Sequence, residues 1–186
     1  MYRPAAALAL VATLATAAPA LATTVRHLDT RALTLSSRDI VIGRVAAVES
    51  YWNPGHTRIY TRVNVEVSES LKGGAGPLQL TQMGGEIDGV RYSIPGGPLF
   101  RPGEEALLFV WRAPDGRAQV TGLAQGKFEI ARDPATGERT VQRAMPGLAV
   151  RDARSLALVP GSERAPRVTL DQLTREVRAA MAEDGR

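Results

Sequence analysis

Cysteine is absent from the chain of 186 residues. That excludes disulfides, thiolate metal sites and cysteine nucleophiles, and leaves any exported form to be held by its core alone. Histidine is almost absent, occurring only at His27 and His56. No H-x-x-x-H or H-E-x-x-H spacing exists, so neither a metal nor a metal-dependent activity has support. No G-x-S-x-G elbow occurs, and the Gly84-Gly85 and Gly96-Gly97 pairs lack the context of a phosphate-binding loop. Lysine is limited to Lys72 and Lys127, and aromatic residues amount to 5%. Beyond residue 22 there is no apolar run long enough to cross a bilayer.

The first 22 residues have the layout of a secretory leader. Arg3 supplies the positive start, Ala5 to Ala18 carry no charge, and Pro19-Ala20-Leu21-Ala22 closes with small residues. Cleavage after Ala22 is expected, with a bacterial periplasm or exterior as destination. The formal charge of +4 becomes +3 without Arg3. Arginines and acids are interspersed along the chain, which indicates a solvated surface and gives no strong nucleic-acid signal.

Two strands organise the remainder. Asp39 to Ser50 is rich in β-branched residues. From Ile59 to Lys72, apolar Ile59, Val63, Val65, Val67 and Leu71 alternate with polar neighbours. A period of two gives one buried and one wet face, and Asn53-Pro54-Gly55 supplies the turn between the strands. Further strands are expected at Leu78–Met83 (broken by Gly84-Gly85), around Val90–Ile94, at Ala106–Trp111 as a doubly buried run, at Gln119–Gly122, and at Gly126–Ile130. A last, more exposed hairpin strand is expected over Arg139–Gln142. Residues 145–166 read as a wrapping loop. Thr169-Leu170-Asp171-Gln172 opens a helix whose Leu170, Leu173, Val177, Ala180 and Met181 share a face. The expected organisation is a leader over 1–22, a β-barrel domain over 23–143, and a wrapping loop with an amphipathic helix over 144–186. The fold class is mainly β: an OB-like five-stranded barrel with an extra hairpin and a C-terminal helix.

The segments RDIVIGRVAAVES, YTRVNVEVSESLKG and PGEEALLFV resemble, in order and spacing, the netrin-like module of the tissue inhibitors of metalloproteinases. The likeness spans Asp39 to Val110 and also extends to secreted bacterial proteins in which LAQGKF follows the fourth strand. It implies an OB-type barrel. Those inhibitors act through an N-terminal cysteine that chelates the protease zinc, and this chain has none, so no inhibitory residue carries over.

For chemistry, the close acid pairs Glu86/Asp88 and Glu104/Glu105 both sit in turns where solvated acids are common. An enzyme with an unusual carboxylate site is therefore the least favoured reading. No catalytic residue, metal ligand or cofactor is expected. The stronger candidate is a binding surface on the first hairpin, formed by Tyr51, Trp52, His56, Arg58, Tyr60 and Arg62. Aromatics beside arginine supply stacking and cation–π contacts. The expected function is a secreted, non-catalytic module that binds an exported protein and modulates an exported protease. The alternative is an oligosaccharide- or nucleic-acid-binding barrel.

Overall fold

The structure is a computed structural model, and it describes residues 23–145, 148–152, 154–159 and 167–184. The expected leader and much of 145–166 lie outside these. In chain order the elements are β1 (Thr23–Arg26), α1 (Thr30–Ser36), β2 (Asp39–Trp52), β3 (Ile59–Lys72), β4 (Leu78–Met83), β5 (Gly85–Ile87), β6 (Val90–Tyr92) and β7 (Glu105–Arg112). There follow β8 (Ala118–Val120), a 3₁₀ turn (Leu123–Gly126), β9 (Lys127–Arg132), β10 (Arg139–Gln142), β11 (Leu148–Arg151), β12 (Val168–Thr169) and α2 (Leu170–Asp184).

Five strands close an OB-like barrel in the order β2-β3-β4-β8-β7, returning to β2. All its pairings are antiparallel except β4 with β8, which meet in parallel at Leu80 and Ala118. One edge of β7 is shared: β8 pairs with its end, Val110 to Arg112, and β9 with its beginning, Ala106 to Leu108. The 3₁₀ turn makes this division possible. Gly126 sits so close to the Thr121 carbonyl that a Cβ there would lie 2.5 Å from it. Beyond the fork, β9, β10 and β12 form a flange outside the barrel.

The division explains why β2 carries apolar residues in succession from Ile40 to Ile42. Val41, Val45, Val63, Val65, Leu80, Ala106, Leu108 and Val110 fill the barrel. Ile40, Ile42, Leu107 and Phe109 point the other way, into a second core beneath Leu33 of α1 and Leu170, Leu173 and Val177 of α2. A strand buried on both faces needs no polar alternation. Trp111 departs from the expected doubly buried run: at 36% exposure it lies past the helices' cover. Leu71 also departs from its row. Register shifts between Ile40/Val41 and Ile42/Gly43 place extra residues in β3, and Leu71 packs with the helix-side core. A bulge inserts one residue and so reverses the facing of the residues after it. The last hairpin is exposed over residues 131–138 as expected, and Val141 of β10 departs from this by being buried under α2.

Local signals set the helix ends. Asp29 accepts a hydrogen bond from the Ala32 amide (2.7 Å) and caps α1. The Thr169 hydroxyl accepts from the Gln172 amide (3.1 Å), which is half of the expected capping box. Within the stretch read as a loop, β11 pairs in parallel with β1. Gln125, buried to 1% exposure, ties the incoming chain down by accepting from the Leu28 amide and donating to the Arg26 carbonyl.

Truncating Phe109, fully buried at the junction of β7 with the helix layer, is expected to cost about 3–5 kcal/mol as Phe109→Ala. Urea denaturation followed by circular dichroism measures this, and a loss below about 1 kcal/mol would place the main core elsewhere.

Candidate functional site

The β2–β3 hairpin tip is ordered by one side chain. Asn53 Oδ1 accepts from the amides of Thr57 (2.8 Å) and Arg58 (2.9 Å), and the Asn53 amide donates to the Arg58 carbonyl. The left-handed residue in the turn is His56, at φ 50°, and not Gly55. Asn is suited to this bonding because its short amide reaches its own following backbone.

The hairpin register divides the four sequence-predicted residues on the strands between two faces, while His56 and Arg58 lie in the loop that joins them. Tyr51 and Tyr60 are directly opposite, as are Trp52 and Ile59. Tyr51, Tyr60 and Arg62 therefore lie on the outer face of the barrel, while Trp52 faces the inner side with the buried Ile59. On the outer face the two tyrosine rings stack, with centroids 6.0 Å apart and planes at 27°. The Arg62 guanidinium lies 4.9 Å from the Tyr51 ring centre and forms an ion pair with Glu49 at 3.6 Å. At the other end the Arg117 guanidinium lies 5.5 Å from the Tyr60 ring and is held by Asp115. The result is a ladder, Arg62–Tyr51–Tyr60–Arg117. Trp52 instead stacks with His56 (5.9 Å) and donates from Nε1 to Asp88 Oδ2 at 3.2 Å.

Arg117 was not evident from the sequence. It lies in the β7–β8 connection, 57 residues beyond Tyr60, and its only signal is the adjoining Asp115-Gly116 turn. The Arg117 guanidinium beside Tyr60 holds that phenol below the usual tyrosine range. Partial burial opposes the effect, and Arg58 adds to it. Asp115 is likewise held below the usual carboxylate range, first by the Arg117 side chain and then by the Arg117 amide.

The acids considered for catalysis already have partners. Glu86 is ion-paired with Arg91, Asp88 receives the Trp52 indole, and Glu105 binds Arg139. Glu104 lies 2.8 Å from Lys127 Nζ, in a charge contact rather than an aligned hydrogen bond. Among the described residues no three His, Asp or Glu side chains are grouped to hold a metal ion.

A cleft of about 430 Å³ opens on the inner side of the same hairpin. Val48, Ser50 and Thr61 form one wall, Gln82 and Gly85 lie alongside, and Phe100 stands opposite. The far wall is fixed by Lys127, whose side chain is 5% exposed. It donates to the Leu99 carbonyl, pairs with Glu104 and Glu129, and lies 5.0 Å from the Phe100 ring centre. The sequence shows only the Gly/Pro-rich run Pro95–Pro98 here, which signals a defined path without showing what that path encloses.

No protein-family model matches this chain, and no curated protein matches it.

Two measurements check this geometry. Removing the guanidinium as Arg117→Ala should move the Tyr60 titration upward, back toward the usual tyrosine range; an unmoved titration, read from the tyrosine ring resonances against pH, would mean that the ladder does not form in solution. Lys127→Met leaves Glu104 without its partner, and breaking a largely buried pair of this kind should lower stability by about 3 kcal/mol. Thermal and urea unfolding report that loss.

Proposed function

We propose that this chain is an exported, non-catalytic binding module that engages a protein partner through the outer face of the β2–β3 hairpin. The observation that carries the reading is the Arg62–Tyr51–Tyr60–Arg117 ladder, partly exposed and held in register on a closed barrel. Tyrosine, tryptophan and arginine dominate the energetics of protein interfaces. Side chains already ordered by stacking and ion pairs lose little further freedom on binding. OB barrels bind their ligands on the second and third strands and on the loops at either side. Here those strands are β3 and β4, and the flanking loops supply Arg58 and Arg117. That the acids Glu86 and Asp88 are engaged by Arg91 and Trp52 supports binding over catalysis.

Export rests on the composition of residues 1–22. The strand order that resembles the netrin-like module makes an exported protease the first partner to test. Without an N-terminal cysteine, any inhibition would use contacts different from those of the inhibitors it resembles.

A second reading is favoured by the stacked tyrosine pair. Stacked rings flanked by guanidinium groups also suit the faces of sugars or single-stranded bases.

The test compares wild type with a Tyr60→Ala/Arg62→Ala variant in pull-downs from secreted and periplasmic fractions of the host. A stoichiometric partner held by the wild type and lost by the variant is expected. The same partner held equally by both would move the interface off this face. Oligosaccharides or oligonucleotides that quench fluorescence in the wild type but not in Tyr60→Ala would transfer the weight to the second reading.

A further inference from the structure

We propose that the cleft at the mouth of the barrel is a separate binding site, for a small neutral ligand that has an apolar body and one hydrogen-bond acceptor.

The cleft has the size of a small-molecule site. Such pockets span roughly 300–1,000 Å³, are mostly apolar, carry few polar groups, and are usually formed before the ligand arrives. At about 430 Å³ this one is in range. Its walls are fixed from both sides. On the hairpin side, Ser50 Oγ accepts from the Glu86 amide (3.1 Å), and Thr61 Oγ1 donates to the Gly84 carbonyl (2.7 Å). Gly85 is packed against both hydroxyls: a Cβ there would lie 2.4 Å from Ser50 Oγ and 2.6 Å from Thr61 Oγ1. On the loop side, Lys127 anchors the Leu99 carbonyl and lies against the Phe100 ring, and the Ala124 amide donates to the Gly96 carbonyl at 3.0 Å. A nearly buried lysine is thus committed to holding a loop whose Leu99 side chain is 66% exposed at the cleft.

The chemistry of the lining selects the ligand. Val48 and Phe100 belong to the edge of the barrel core and give the cleft apolar walls. The charges beside it, Glu86 and Arg91, neutralise each other. Neither anion nor cation is favoured. Gln82 lines the cleft, and its Nε2 is buried with no hydrogen-bond partner among the described residues. A buried donor without an acceptor is costly, and a turn of the Gln82 side chain toward the cleft would bring it to a ligand carbonyl that relieves that cost. The ligand class that answers all three features is a neutral amide, ester or ketone with an apolar body. Ser50 and Thr61 face inward while Tyr51 and Tyr60 face outward, so this site and the outer ladder stand or fall separately.

The test uses the full chain, isotope-labelled, titrated with N-benzyl-N-methylacetamide, whose amide has no N–H, and, in parallel, with toluene, which has no acceptor. Saturable shifts at Ser50, Gln82 and Leu99 are expected with both probes. Gln82→Met, similar in volume but without the donor, should weaken the amide about tenfold and leave the hydrocarbon unchanged. Gln82→Glu, which keeps the shape and presents an acceptor to the carbonyl, should weaken the amide as well. The proposal is overturned if neither probe gives saturable shifts at millimolar concentration, if the shifts fall on Tyr51 and Tyr60 instead, or if both folded variants hold the amide as tightly as wild type.

Discussion

The structure depends on how one strand edge is divided. β7 offers a single edge to two partners, β8 over its last residues and β9 over its first. The β8 half closes the barrel through the short parallel contact at Leu80 and Ala118. The β9 half starts the flange that α2 covers. Without that fork the chain would have either an open sheet or no platform for the helix. A closed barrel removes the unpaired edges that make open sheets prone to association. It also gives a fixed geometry to the β2–β3 hairpin, which carries both candidate sites.

The two lysines illustrate how sparingly the chain uses compact cations. Lys72 donates to the Thr34 carbonyl at the end of α1 (2.8 Å), and Lys127 donates to the Leu99 carbonyl beside the cleft. An ammonium on a flexible stem is a compact point charge that can reach a single carbonyl in a confined space. Some arginines stack on rings or pair with carboxylates, as Arg62 does on Tyr51, Arg117 on Tyr60, and Arg112 with two nitrogens on Asp39 Oδ2, while Arg44 and Arg143 donate to the Gly103 and Leu28 carbonyls.

The same hairpin serves two faces because its strands pleat. Tyr51 and Tyr60 form a flat, cation-flanked outer surface, and their neighbours Ser50 and Thr61 turn inward to line a recess. A flat aromatic surface suits a large partner, and a rigid recess suits a small one. The arrangement therefore allows two ligands to act on one hairpin without competing for the same side chains.

The period-two pattern from Ile59 to Val67 determined the β3 faces, because burial on one side of a pleat leaves a mark at every second residue. Asp29 and Thr169 determined the helix starts, because capping is local. The barrel class came from the number and order of short strands with Gly/Pro turns between them. What the sequence could not determine was decided by contacts between distant segments. Bulges moved Leu71 to the helix side, since an inserted residue changes facing without changing composition. Arg117 joined Tyr60, and Lys127 joined Leu99 and Phe100, only after closure brought separate loops together. The candidate aromatic residues were legible because they cluster along the chain. Their division between two faces, and the cleft behind them, came from register and closure, which belong to the tertiary structure alone.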